Sequence, residues 1–273
     1  MLLKQELENK SFLGDCLEVM KNFENKSIDF ILCDLPYGTT SSPWDIVIPF
    51  DKLWEQYERI IKDTGVIVLF GSQPFTTHLI SSNLKLFRYE WVWNKGYSTN
   101  FQLVKKQPSK IHENICVFYK KRGTYNYQKT MRDKPKDYSN CKKEINTEKG
   151  FEHFSSKENQ TTVLRVDKYP TSILNFNGQN KECNNKNRIH ANQKPLDLFE
   201  YLINTYTNPG ELVLDNCAGS FTTAEAAINT DRKYVCIESE EKYYNLGQER
   251  IKNALYKKEQ NDNLFISQQH QNE

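Results

Sequence analysis

The stretch 212-LVLDNCAGSFTTAEAAINTDRKYVCIE-238 decides the fold. Leu212–Asp215 is a short apolar run that ends in an acid. Small residues follow through Gly219. Phe221–Asn229 then reads as a helix, and Tyr234–Glu238 as a second buried strand. A strand, a helix and a strand at this spacing form a βαβ unit, which implies a parallel sheet. Helices are predicted on either side, over Leu196–Thr207 and Glu241–Tyr256. In an open parallel sheet, ligands bind beyond the carboxyl ends of the strands. The turn at 215–222 therefore reads as a ligand cradle, with Gly219 allowing close backbone approach. Glu238 ends the next strand about 20 residues on, where an acid grips ribose hydroxyls in nucleotide-binding folds.

The N-terminal half repeats the alternation. Ser27–Asp34 (SIDFILCD) is an apolar strand. Asp51–Lys62 has helical periodicity, with Asp51 suited to cap it. Val66–Phe70 is a buried strand, and Glu90–Trp93 and Ile115–Tyr119 are further strands. The first of these ends in Asp34-Leu35-Pro36-Tyr37. Asp34 thus stands at a strand's carboxyl end. Pro36 stiffens the turn. The Asp34 carboxylate and the Leu35 carbonyl offer two acceptors pointing the same way. Such a pair suits an exocyclic amine, whose lone pair must be drawn out of the ring. Tyr37 offers a flat face on which an unstacked base can lie. An ordinary strand exit carrying an acid is the bland alternative.

Asp34-Leu35-Pro36-Tyr37 resembles the D-P-P-Y catalytic motif of DNA amino-methyltransferases, with Leu in place of the first Pro. Trp44-Asp45 also fits that resemblance. Residues 215–223 resemble the family's D-x-F-x-G-S-G-T-T cofactor loop, and His190-Ala191-Asn192-Gln193-Lys194-Pro195 resembles its H-P-T-Q-K-P signature. The motif order resembles the beta group, in which the fold is permuted. The resemblance implies a Rossmann-like α/β methyltransferase fold, with a mostly parallel seven-stranded sheet and helices on both faces. It implies S-adenosyl-L-methionine as cofactor, held by Asp15, Lys194, Asp215, Asn216, Cys217, Ala218, Gly219, Ser220, Thr222 and Glu238. Asp34, Leu35, Pro36 and Tyr37 would be catalytic, acting on adenine N6 of flipped double-stranded DNA by direct in-line transfer. Asp15 reads equally as a plain helix cap, and Lys194 as a surface lysine. Two positions depart from the cofactor motif. Cys217 stands where Phe is usual. Phe221 stands where a second glycine is usual, and a left-handed backbone there would cost on the order of 1–2 kcal/mol.

Charge separates the middle of the chain from the rest. Residues 101–190 hold 19 Lys and Arg against 9 Asp and Glu, whereas the remainder has an acidic excess. A basic centre suits a polyanion. Residues 11–120 and 188–256 form the expected catalytic core. Residues 121–187 form an inserted target-recognition region, and 257–273 a polar, disordered tail. Within and at the edge of the insertion, Lys120, Lys121, Arg122, Lys129, Arg132, Lys134 and Lys136 suit phosphates. Tyr125, Tyr127 and Tyr138 could stack or wedge, and Asn126 and Gln128 suit adenine edges. Gly96–Asn100 is expected to close over the base. Seven cysteines occur without a CxxC pair, which argues against a zinc site or a disulfide framework, so no metal is expected. Cys33, Cys116, Cys217 and Cys236 read as small core residues. No apolar run approaches the roughly 18 residues of a membrane span, and a cytoplasmic location is expected. The resemblance allows a homodimer and a cognate restriction endonuclease. Three rival functions stay open at this level: N4-cytosine transfer, transfer to RNA or a protein glutamine, and a DNA-binding module whose cofactor site is impaired by Phe221.

Overall fold

The computed structural model describes residues 1–40, 45–98, 100–137, 164–178 and 193–269. In chain order the elements are α1 (Lys4–Leu7), β1 (Lys10–Leu13), α2 (Cys16–Met20), β2 (Ile28–Cys33), α3 (Phe50–Ile60), β3 (Ile61–Gly71), α4 (Phe75–Ser82), β4 (Phe87–Asn94), β5 (His112–Phe118), β6 (Thr130–Asp137), β7 (Leu164–Lys168), β8 (Ile173–Asn175), α5 (Leu196–Tyr206), β9 (Leu212–Asp215), α6 (Thr222–Asn229), β10 (Lys233–Glu238) and α7 (Glu241–Gln269). Two compact units result, one of Met1–Asn126 with Ser172–Glu273, the other of Tyr127–Thr171.

The larger unit is built on one sheet with strand order β1-β10-β9-β2-β3-β5-β4-β8. It has eight strands, where the resemblance implies seven. The additional edge strand is β8, which pairs with β4 through Val92–Ile173 and Asn94–Asn175. β5 runs antiparallel to both its neighbours, and the other pairings are parallel. The sheet is thus mostly parallel, with both faces covered.

The pleat sorts the strand residues between two cores. Phe30, Leu32, Val66, Val68, Phe70 and Val213 point to the face covered by α5, α6 and α7, where Phe199, Leu202, Ala224 and Ile251 are buried. Ile31, Cys33, Ile67, Leu69, Leu212 and Leu214 point to the face covered by α2, α3 and α4, against Met20, Leu53, Tyr57, Ile60 and Leu79. Strands buried on both sides read as continuous apolar runs, and alternate residues are then shared out by the period of two.

Three sequence expectations need correction. α3 starts at Phe50 with Pro49 at its N-cap, and Asp51 sits in its first turn without capping it. α7 continues through 257–269, where disorder was expected. Its polar stretch lacks Gly and Pro, so nothing local stops a helix once the first turns are anchored. Cys33, Cys116 and Cys236 are buried as expected, but Cys217 is only half-buried. Cys141, Cys183, Trp44, Tyr138 and His190–Asn192 lie outside the described residues. Among the described residues, no helix is long and apolar enough to cross a membrane.

The smaller unit is a two-stranded antiparallel ribbon of β6 and β7. Lys129 pairs with Asp167 at 2.7 Å, the Arg132 guanidinium donates to the Asp167 carbonyl, and Tyr127 packs on Tyr169. Lys134 and Lys136 are exposed on β6.

Candidate active site

The carboxyl ends of β2, β9, β10, β1 and β3 open on one cavity of about 970 Å³. That volume lies at the upper end of the roughly 300–1,000 Å³ usual for ligand pockets. Asp34, Leu35, Pro36 and Tyr37 line one side of it. Asp15, Asp215, Asn216, Cys217, Ala218, Gly219, Ser220, Thr222 and Glu238 line the other, and Lys194 also faces it. The two motifs lie far apart in the chain, yet β2 and β9 are neighbours through Phe30–Val213 and Ile31–Leu214. All fourteen residues expected from the sequence therefore share one cavity.

The turn after β2 is held by Asp45. Its carboxylate accepts from the backbone N–H groups of Gly38, Thr39 and Thr40 at 2.9, 2.9 and 2.6 Å. These donors hold the Asp45 carboxyl below the usual range against the opposing effect of burial. Gly38 has φ +67°, and a Cβ there would lie 2.8 Å from the Val47 side chain, so glycine is required. Phe75 covers one face of the Tyr37 ring, with centroids 4.8 Å apart. The Tyr37 hydroxyl donates to Asp34 Oδ1 at 2.7 Å.

Lys194 is only 8% exposed, so it is no surface lysine. Its ammonium donates to Asp34 Oδ2 at 2.6 Å and lies 3.3 Å from Glu113 Oε2. Glu113 Oε1 in turn accepts from Lys95 at 3.1 Å. Burial pushes the Asp34 carboxyl up, with Glu113 adding to the effect and Lys194 pulling against it. Burial would lower Lys194, but its two carboxylate partners outweigh that and raise it. Burial likewise opposes ionisation of Glu113, and the two lysines overcome it.

On the opposite wall, Asp215 accepts one hydrogen bond on each oxygen from its own turn. Oδ1 accepts from the Cys217 N–H at 3.1 Å, and Oδ2 from the Thr223 hydroxyl. Burial raises its pKa to about 6. Tyr57 donates to Asn216 Oδ1, which ties the loop to α3. Glu238 Oε2 accepts from the Gly219 N–H at 2.7 Å, and Oε1 from the Glu240 N–H at 2.9 Å. Each oxygen keeps a further acceptor site. Arg250 donates to the Ser220 carbonyl and to the Thr222 hydroxyl. Asp15 caps α2 by accepting from the Glu18 N–H at 3.0 Å, and it lines the cavity as well.

Phe221 does adopt the left-handed backbone, at φ 57° and ψ 30°. Its ring is fully buried, packs edge-on to Tyr244 and lies outside the residues lining the cavity. Gly247 makes the room, since a Cβ there would come within 2.1 Å of the ring. The aromatic side chain is turned away from the cleft and leaves it open.

Glu113, Lys95, Lys110 and Ser72 also line the cavity and were not picked out from the sequence. Glu113 precedes the apolar core of its strand, and Lys95 directly follows Asn94 at the end of β4. The one signal they carried was a lone charge bordering a buried strand at its site-facing end. Several residues expected to meet nucleic acid have other partners. Asn126 donates to the carbonyls of Asn204 and Thr207 at the end of α5. Tyr125 packs on Tyr206, and Lys120 and Lys121 pair with Asp63 at 3.7 and 3.8 Å. Lys95, Tyr97 and Ser98 line the cavity, whereas Thr99 lies outside the described residues.

The model of the N6_N4_Mtase family, described as DNA methylase, matches residues 28–249. The DNA adenine methyltransferase YhdJ of Escherichia coli K12 is 25% identical over 87% of this chain and 81% of its own length. Among solved structures, the M1.HpyAVI–SAM complex superposes with a TM-score of 0.59 at 20% identity, covering 92% of this chain and 99% of that one. The cytosine-N4-specific PvuII DNA methyltransferase gives 0.62 at 15% identity, covering 92% of each chain. A D-x-P-Y turn and a glycine loop meeting on one cavity of a mostly parallel sheet agree with that match, and the chain belongs to the N6/N4 DNA methylase family.

Proposed function

We propose that this protein transfers a methyl group from S-adenosylmethionine to N6 of adenine in double-stranded DNA, with the base taken out of the helix. One observation carries this: Asp34 and the Asp215–Glu238 wall stand at the ends of adjacent strands and face each other across one cavity.

The residues on the β9–β10 side fit the cofactor. Glu238 keeps acceptor sites for the two ribose hydroxyls. The turned-away Phe221 leaves the space beside the Gly219 loop open. The acidic wall of Asp15, Asp215 and Glu238 suits a ligand bearing a sulfonium and an ammonium group. S-adenosylmethionine bound there supplies an electrophilic methyl group.

On the β2 side, Tyr37 presents to a base the ring face that Phe75 leaves uncovered. Asp34 is already bonded to Tyr37 and Lys194, one on each oxygen, and a second acceptor site remains on each. That site and the Leu35 carbonyl accept the two amino hydrogens and turn the lone pair out of the ring plane. Lys194 keeps the half-buried Asp34 ionised. Rate gain comes from positioning and from negative charge placed where positive charge develops on the amine.

Asp at the first motif position favours adenine over cytosine. The DNA adenine methyltransferase name of the Escherichia coli relative agrees. Calorimetry combined with a tritium-transfer assay tests the assignment. Asp34→Ala should bind S-adenosylmethionine with affinity within a few-fold of the parent and lose transfer by at least about a hundredfold. Retained turnover would overturn the role of Asp34. Absence of cofactor binding in the parent would leave a DNA-binding module.

A further inference from the structure

Glu113 has no part in the family motifs, yet it is a charged side chain inside the cavity. It is the second residue of β5, and its side chain is 14% exposed. Oε1 accepts from Lys95, which directly follows β4. Oε2 is buried without a hydrogen bond of normal geometry, and the Lys194 ammonium stands 3.3 Å from it. Lys194 in turn holds Asp34 at 2.6 Å. Four charges of alternating sign thus run across the pocket: Lys95, Glu113, Lys194 and Asp34. Their formal sum is zero. Tyr37 faces both Asp34 and Glu113, Asp215 adds a nearby negative charge to Asp34, and Lys110 faces Glu113.

A one-to-one pair of Lys194 with Asp34 would neutralise the carboxylate that the amine must use. The reaction proposed above also brings a cationic methyl donor and builds positive charge on the amine. An unopposed Lys194 and Lys95 would disfavour both. Glu113 removes that problem by drawing on Lys194 from its far side and balancing Lys95. We propose that Glu113 is a positioning residue for methyl transfer: it holds Lys194 between two carboxylates, so that the ammonium does not fully neutralise Asp34, which retains its capacity to accept from the substrate amine.

This inference rests on the methyltransferase reading, and the test separates the two. Single-turnover methyl transfer is measured against pH with tritiated S-adenosylmethionine and unmethylated duplex DNA of mixed sequence. Asp34 must be ionised, so the rate rises with pH through its titration. In Glu113→Gln a negative neighbour is lost, the Asp34 anion is favoured, and the acid limb should move to lower pH by about one unit. The plateau should fall by about tenfold or more, with cofactor affinity changed far less. Glu113→Asp should restore part of the plateau. Lys95→Met removes a positive charge from the same row and should move the limb the opposite way, to higher pH. A merely structural role for Glu113 would lower thermal stability and leave both limbs in place, and that result overturns the proposal. A parent enzyme with no transfer at any pH would overturn the methyltransferase reading and this inference together. A parent with transfer but with unmoved limbs in both variants would overturn this inference alone.

Discussion

The Phe221 ring is turned away from the cleft, although the sequence leaves open a ring that enters it. The sequence places a bulky residue where the motif expects glycine, and the backbone there is left-handed. Which way the ring points depends on Gly247, 26 positions later, and no local pattern carries that information. Replacing Phe221 by Ala should destabilise the fold by about 3–5 kcal/mol, because a fully buried ring is removed. Phe221→Gly should cost less, since relief of left-handed strain offsets about 1–2 kcal/mol of that loss. Cofactor affinity measured well below the melting temperature should be unchanged in both. Weaker binding at full stability would place the ring in the cofactor site after all.

Asp215 makes a second prediction at this scale. Its folded pKa is raised to about 6 from the ordinary 3.8, so ionising it opposes folding. For a raised group, the favourable contribution is complete below the unfolded value and is lost as pH rises through the folded one. The window here is about pH 4 to 6. Without cofactor, Asp215→Asn should therefore gain stability over the parent at neutral pH, on the order of 1–3 kcal/mol. The gain should vanish near pH 4, and cofactor binding should be lost. Urea unfolding at both pH values checks this, and a pH-independent difference would refute it. On the proposed reading the acid serves a cationic ligand, in a turn that would be more stable without it.

At the scale of elements, strands buried on both faces were the most legible features. Continuous apolar runs such as Phe30–Cys33 and Leu212–Leu214, short and bounded, are consistent with buried strands. Their ends were less legible. β3 begins at Ile61, five residues before the apolar run Val66–Phe70, because Ile61 pairs with Ile28 ahead of an irregularity that ends where Val66 pairs with Phe30. β8 is three residues long and was missed, since its register comes entirely from β4. The middle of the chain stood apart by charge and composition, and the structure has a separate unit at Tyr127–Thr171 within the expected 121–187, but neither property says which partner each side chain takes. Asn126, whose amide suits an adenine edge, instead satisfies the end of α5. Lys134 and Lys136 are exposed on β6, and their role toward phosphates is a proposal to be tested. Changing both to Ala should lower duplex affinity and reduce the slope of log K against log salt by about 0.9 for each phosphate no longer neutralised. Fluorescence anisotropy over a salt series measures this, and an unaltered slope would move the DNA-facing surface away from β6.

For the whole molecule, topology does what neither motif can do alone. The strand order β10-β9-β2-β3 puts the ends of an early and a late strand side by side. The cavity then opens at strand carboxyl ends, where ligands bind in doubly wound sheets generally. The motifs were visible in the sequence because each packs its chemistry into a few consecutive residues. The row from Lys95 through Glu113 and Lys194 to Asp34 was not, because its members come from four separate segments and meet only in the folded chain. Sequence patterns report what is local, and this site is completed by charges that are not.

The most direct test of the account is nucleoside mass spectrometry of DNA from cells that express the chain, with Asp34→Ala as the control. N6-methyladenine with the parent and none with the variant is the predicted result. N4-methylcytosine, no methylated base, or an undiminished yield from the variant would contradict it.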